Sequence, residues 1–282
     1  MPALRIQSAL VLGAITRDLE QGSPAAPGGV VHYAGRAFAA LGARTRVVTR
    51  VREVDASELL APLVAAGVEV RALPSAATTT YQNDYSGAED RHELLATSDP
   101  IGPDDVPEAW RSADAIQLGP LHRRDLLPET LACLRGFRGI DLQGLVRLVD
   151  AHGTRLAPNA ELKDFLPHVC VAKAGEEELA VVLEGRSLDE FRREFGLAEL
   201  LVTRGARGAL VVTHSGTREV AAPLVPRRFP IGAGDVFLAA YLHARASDRT
   251  PVEAARFAAQ TSAAQVAHGR ISAGLGEEEA AP

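Results

Sequence analysis

The chain has 282 residues, 46% of them hydrophobic and 23% charged, with a formal charge of −6. This length suits one large domain with a full core, or one with a small appendage, and the acidic balance excludes a general nucleic-acid or anionic-membrane surface. Of 30 basic residues only Lys163 and Lys173 are lysine; neither has the neighbours of a Gly-Lys-Ser/Thr P-loop, so a phosphate site here must use another device.

Residues 8–15, Ser-Ala-Leu-Val-Leu-Gly-Ala-Ile, are followed at once by Arg17-Asp18 and read as a buried first strand rather than a signal segment. Strand-length apolar runs recur at 46–49, 68–71, 115–118, 169–172, 200–203 and 209–213, with helical periods at 30–41, 56–66 and 123–134. This alternation predicts an α/β fold with a mainly parallel sheet covered on both faces. Residues 78–85 are strand formers but polar; with a turn at Ser86-Gly87 and a return through 91–96 they predict a surface hairpin, a small lid. Capping boxes at Ser187/Glu190 and Thr250/Glu253 predict two helix starts, the second with Pro251 at its first position. Cys133 and Cys170 form no disulfide framework or metal cluster, which fits a cytoplasmic setting. No run is long enough for a membrane span, and no repeat or linker divides the chain. One domain is expected over 1–282, with a flexible acidic tail at 275–282.

The most informative stretch is Ile231-Gly-Ala-Gly-Asp-Val-Phe-Leu-Ala-Ala-Tyr-Leu242. The segment after the glycines is apolar almost all round, which predicts a buried helix. A glycine turn opening such a helix aims N–H groups and the positive dipole end at one point, an anion site that needs no lysine. Asp235, in the first turn, can accept a proton from a substrate hydroxyl. The bland alternative is a helix-start acid after a tight turn. A dinucleotide fingerprint fails, because position 237 is Phe rather than a third glycine.

Gly232-Ala-Gly-Asp235 with Phe237 resembles the second signature of the ribokinase-like PfkB carbohydrate kinases. Other segments match in order: Gly13 to Asp18 resembles the family's opening, Gly28-Gly29 and the helix to Gly42 its first signature, and Val202 to Gly208 its nucleotide loop. The resemblance spans about residues 4–270 and implies a three-layer α/β/α sandwich with a β lid contributed by about 14–22 and 77–97. Asp141 to Arg147, Thr79-Thr80-Tyr81 and Val31-His-Tyr33 resemble the myo-inositol-kinase-like branch. An Asn stands at the position of Tyr33 in ribose-type members.

The resemblance implies an ATP- and magnesium-dependent kinase acting on a hydroxyl of a small polyol or sugar. In it Asp235 is the general base, and the Gly232, Ala233 and Gly234 backbones form the anion hole. An aspartate ionised at neutral pH is a weak base, but phosphoryl transfer asks mainly for orientation and charge stabilisation. The acceptor would meet Asp18, Gly28, Gly29, Tyr33, Tyr81, Asn83, Asp141, Gln143 and Arg147, with Tyr85 and Arg91 as further lid candidates. The donor would meet Lys173, Thr203, Arg204, Gly205, Gly208, Ala259 and Ser262. Glu178 would organise magnesium through water. Each also has a plainer reading: solvated loop carboxylates, hairpin faces, turn glycines, helix-start acids or close helix packing. The lid also offers a surface for a homodimer.

Three positions depart from the family pattern. Phe229-Pro230 replaces the usual Asp-Thr before the glycines, Gly175 replaces the Asn of Asn-x-x-Glu, and Val51-Arg-Glu-Val-Asp55 lacks the usual Gly. Two other functions therefore stand beside the polyol kinase: a nucleoside or other sugar kinase of the same fold, and a catalytically weak protein that binds a polyol or nucleotide.

Overall fold

The computed structural model describes residues 6–20, 22–84, 91–150 and 153–269. The chain opens with β1 (Ser8–Gly13), then leaves the main sheet for β2 (Thr16–Glu20) and β3 (Ala26–Gly28). It returns through α1 (Gly29–Ala40), β4 (Arg44–Val51), α2 (Glu53–Ala65) and β5 (Glu69–Pro74), and leaves again for β6 (Thr79–Asp84) and β7 (Arg91–Ala96). Next come β8 (Ser112–Gly119), α3 (Pro128–Ala132), β9 (Arg135–Asp141), α4 (Gln143–Val146) and the antiparallel pair β10 (Arg147–Asp150) and β11 (Gly153–Leu156). The remainder is α5 (Leu162–Phe165), β12 (Val171–Gly175), α6 (Glu176–Leu183), α7 (Leu188–Glu194), β13 (Glu199–Thr203), β14 (Ala209–Thr213), β15 (Gly216–Val220), α8 (Ala233–Ala246) and α9 (Pro251–His268).

Nine strands form the main sheet in the order β15-β14-β13-β12-β9-β8-β1-β4-β5. The seven from β13 to β5 are parallel; β14 and β15 close one edge as an antiparallel hairpin. Strand order reverses between β1 and β8, and parallel sheets present ligand sites at the carboxyl ends of strands beside such a reversal. Alternate residues feed two cores. Val11, Val47 and Ala115 face α1, α2, α8 and α9, whereas Leu10, Leu12, Ile116 and Ile140 face the layer holding Leu131, Phe165, Val182 and Phe191. The expected α/β/α sandwich is what the chain forms.

The small sheet has the order β3-β2-β6-β7, with β2 and β6 parallel and the outer pairs antiparallel. It therefore includes Ala26–Gly28 as well as strands from the two expected stretches. Tyr85 and the Ser86-Gly87 turn, like the acidic tail, lie outside the described residues. Both capping boxes form, with Ser187 and Thr250 Oγ accepting from the Glu190 and Glu253 N–H groups.

One sequence expectation is corrected, and one strand is added to those expected. The helix expected over 123–134 is only Pro128–Ala132. Pro128 has no N–H to continue a helix from upstream, and the Asp125 carboxylate takes the Leu121 and His122 N–H groups into a turn instead. Strand β9 was not visible as an apolar run, because Arg135-Gly-Phe-Arg-Gly139 breaks the pattern. Gly139 is needed there: a Cβ would meet Leu242 of α8 at 2.8 Å.

At the amino end of β13, Glu199 is 3% exposed. It accepts from Tyr241 Oη at 2.6 Å and from Arg245 Nε at 2.8 Å, fastening α8 to the sheet far from the carboxyl ends of the strands. Glu199→Ala strands both partners and is expected to cost about 3 kcal/mol. Urea unfolding measures the loss, and a midpoint unchanged from the parent would contradict it.

Candidate active site

The carboxyl ends of β1, β8, β9, β12 and β13 all lead into one cleft. Its centre is the start of α8. Gly232 caps the helix with φ +76°, a conformation costly for any residue with a Cβ. A Cβ there would also meet the Tyr33 ring at 2.1 Å, so Tyr33 lies directly on this glycine. From Val236 to Ala244 every residue of α8 is buried. The first-turn amides of a helix have no carbonyl partner within it; Ala233 gives its own to Pro230 O at 3.2 Å.

Two cavities flank this turn. The first, about 270 Å³, is lined by Thr16, Asp18, Gly29, Tyr33, Tyr81, Asn83, Gln143, Arg147, Gly232 and Asp235, together with His92 and Leu121. The structure thus brings together most of the expected acceptor residues. Gly28 works from behind: a Cβ there would overlap Asp18 Oδ2 at 2.1 Å. Thr16 Oγ1 donates to Asp18 Oδ1 at 2.7 Å. Burial raises the Asp18 pKa, and that hydrogen bond offsets part of the rise. Asn83 Oδ1 and His92 Nδ1 are 2.8 Å apart, and Tyr81 Oη donates to Leu121 O at 3.3 Å. Of Tyr85 nothing is described, and of Arg91 only its strand position.

The second cavity, about 360 Å³, begins at Ala233 and Gly234. Thr203, Gly205, Ala206 and Gly208 form one wall; Phe237, Ala259, Ser262, Ala263 and Val266 form another. Ser262 Oγ donates to Ala233 O at 2.9 Å, joining α9 to the glycine turn. Phe229 N donates to Val266 O at 2.8 Å. Backbone and α9 contacts therefore hold the loop in which Phe229-Pro230 replaces the usual Asp-Thr.

Two expected donor residues are placed differently. Arg204 does not line the cavity; its guanidinium is drawn to Glu219 on β15. Lys173, 4% exposed, lies behind Gly234, where a Cβ would meet its Nζ at 3.3 Å. It donates to Asp141 Oδ2 at 2.6 Å. Asp141 is thus committed to Lys173 and does not line the acceptor cavity. Glu178 accepts the Gly175 N–H at 2.6 Å beside this pair. Among the described residues no group of three or more His, Cys, Asp or Glu is arranged to hold a metal directly. His32 is buried, with a pKa of about 4 set by burial and then Arg36, and takes no place in either cavity.

Charge in the cluster favours acid. Burial, then Asp141, raises the Asp235 pKa to about 7, against the pull of Lys173 and Arg147. Burial and Asp141 raise Glu178 as well, with Lys173 opposing. Burial works against the Lys173 charge, but Asp141, Glu178 and Asp235 outweigh it, so Lys173 stays protonated. Asp235 is therefore a better proton acceptor than an ordinary aspartate, contrary to the sequence expectation.

A family model for the pfkB carbohydrate kinases matches residues 20–275. The chain belongs to the PfkB family of carbohydrate kinases. It is accordingly a phosphotransferase with an alcohol acceptor. No curated protein matches the chain by sequence. Among solved structures it is similar to a pyrophosphate-dependent kinase of the ribokinase family complexed with a pyrophosphate analogue and myo-inositol. The TM-score is 0.82 at 23% identity, over 94% of this chain and 97% of that one. It is also similar to a Vibrio cholerae O395 fructokinase bound to fructose, ADP and calcium (TM-score 0.74, 18% identity, 94% of each chain). An adenosine kinase from Sinorhizobium meliloti has TM-score 0.75 at 16% identity, covering 95% of this chain and 96% of that one. These likenesses establish the ribokinase fold. No helix among the described residues is long and apolar enough to cross a membrane.

Sequence reasoning missed His92 and Arg227, both cavity-lining. Neither carries a motif signal, and only the folded lid and the β15–α8 connection bring them to the cleft.

The raised Asp235 pKa has a consequence for stability. A carboxyl whose pKa is higher folded than unfolded gives stability that is full below the unfolded value and lost as pH rises through the folded one. Asp235→Asn is therefore expected to melt higher than the parent, by a margin that grows between its ordinary value of 3.8 and about pH 7. Thermal unfolding across this range checks it; a margin independent of pH would contradict it.

Proposed function

We propose that this protein transfers the γ-phosphoryl group of ATP to one hydroxyl of a small polyol, with a cyclitol such as myo-inositol the favoured acceptor. The carrying observation is Asp235. It lines a small polar cavity, and a second cavity begins on the other side of the same glycine turn. The acceptor hydroxyl hands its proton to Asp235, while first-turn amides such as those of Gly234 and Asp235 hold the moving phosphoryl group. Asp18, Asn83, Gln143 and Arg147 offer hydrogen bonds from several sides, which suits a compact ring bearing many hydroxyls. Tyr33 and Tyr81 give it flat apolar faces, and the lid excludes water.

The choice of ATP rests on the second cavity. Ala206, Ala222, Leu224, Val225, Phe237, Ala259, Ala263 and Val266 make its lining largely apolar. A nucleobase can use that surface and pyrophosphate cannot. Magnesium bound with the donor supplies positive charge to the phosphates. Glu178 would hold it through water, and the surplus of buried acid around Lys173 suits an added cation.

An ADP-release screen with Mg-ATP across cyclitols, sugars and nucleosides, run beside pyrophosphate as donor, tests the proposal. A cyclitol is expected to turn over fastest, with ATP at least about tenfold better than pyrophosphate. Asp235→Asn should lower kcat by about 10³-fold, and kcat/KM of the parent should rise with pH to a plateau above about 7. Preference for pyrophosphate overturns the donor, a faster nucleoside overturns the acceptor, and an active Asn variant overturns the role of Asp235.

A further inference from the structure

First-turn amides alone leave part of the transferring group's charge unmatched. In phosphoryl transfer, charge spreads over three equatorial oxygens, and amides on one side can meet only part of it. Most nearby cations line neither cavity. Lys173 is bound to Asp141 behind Gly234, Arg204 to Glu219, and Arg207 to Glu176. Arg147 lines the acceptor cavity alone and reaches toward Tyr81 Oη.

Arg227 is placed differently. Among the described residues it and Pro230 line both cavities, and only Arg227 carries charge. It stands in the connection between β15 and α8, which has no regular secondary structure from 221 to 230. That connection is nonetheless anchored. Arg228 N and Phe229 N both donate to Val266 O, and Pro226 and Pro230 bracket the segment. The backbone beside Arg227 is fixed to α9, while the residue is exposed at the lip where the cavities join. A guanidinium also matches phosphate oxygens with a planar fork, as an ammonium does not.

We infer that Arg227 is a catalytic residue that holds the transferring phosphoryl group across from the first turn of α8. The inference rests on the kinase reading above. In the step, a lone pair of the acceptor oxygen forms the new O–P bond. The bond between the γ-phosphorus and the bridging oxygen breaks, its electrons leave on ADP, and the acceptor proton goes to Asp235. Arg227 neither gains nor loses a proton; it balances charge on the equatorial oxygens.

The test compares Arg227→Met and Arg227→Lys with the parent, using Mg-ATP and the best acceptor of the screen. The exposed position lets both variants fold, which unchanged melting temperatures verify. A catalytic role lowers kcat about 10²-fold or more in the Met variant, leaves both KM values within a few-fold, and is partly rescued by Lys. Unchanged kcat, or a raised KM for ATP with kcat intact, overturns the inference and leaves the kinase reading standing. A parent that turns over no acceptor with either donor overturns the kinase reading and this inference together. A folded parent that is active beside a Met variant that has lost kcat is the outcome that supports both.

Discussion

Helix α8 presents one polar side chain to the cavities, that of Asp235 in its first turn. From Val236 to Ala244 it is buried on every face, between α1 and α9 and against β8 and β9. A helix so enclosed cannot slide or rotate without exposing core, so its N-terminus is fixed relative to the carboxyl ends of the strands. Gly232 completes the constraint. Its positive φ turns the chain into the helix, and its missing Cβ lets Tyr33 of α1 lie against it. The two cavities are separated by this turn, so their spacing is set by core packing rather than by a loop free to move.

Electrostatics follow from the same burial. Asp141 at the end of β9, Lys173 in the middle of β12 and Glu178 in the first turn of α6 meet beneath Gly234 at 5%, 4% and 8% exposure. One lysine among these acids is enough to keep Asp141 paired at 2.6 Å. It is not enough to return Asp235 to an ordinary carboxylate, which stays near 7. The site is held short of positive charge, a condition that favours a donor arriving with its own cation and that an arginine at the lip can relieve further.

Much of this was legible in the sequence, for local reasons. Gly232-Ala-Gly-Asp235 before an apolar helix is a short-range pattern, and the strand and helix periods around it are strong. The capping boxes and the start of α9 at Pro251 were likewise local. What was not legible depends on partners far along the chain. Arg204 looked like a phosphate ligand beside its glycine loop, but Glu219 takes it after the β14–β15 hairpin forms. Lys173 was expected to meet the donor, yet which side of Gly234 it occupies depends on Asp141, 32 residues away. Arg227 sits in a proline-bracketed stretch without periodicity and acquires meaning only where two cavities meet.

The central claim is that core packing places Asp235 in an environment that makes it a base poised near neutrality. Difference infrared spectroscopy of the parent against Asp235→Asn, followed through the carboxyl stretch between roughly pH 3 and 9, reads that protonation directly. The protonated band should disappear with a midpoint at about pH 7. A midpoint at the ordinary aspartate value would contradict it and return Asp235 to the role of a helix-start acid.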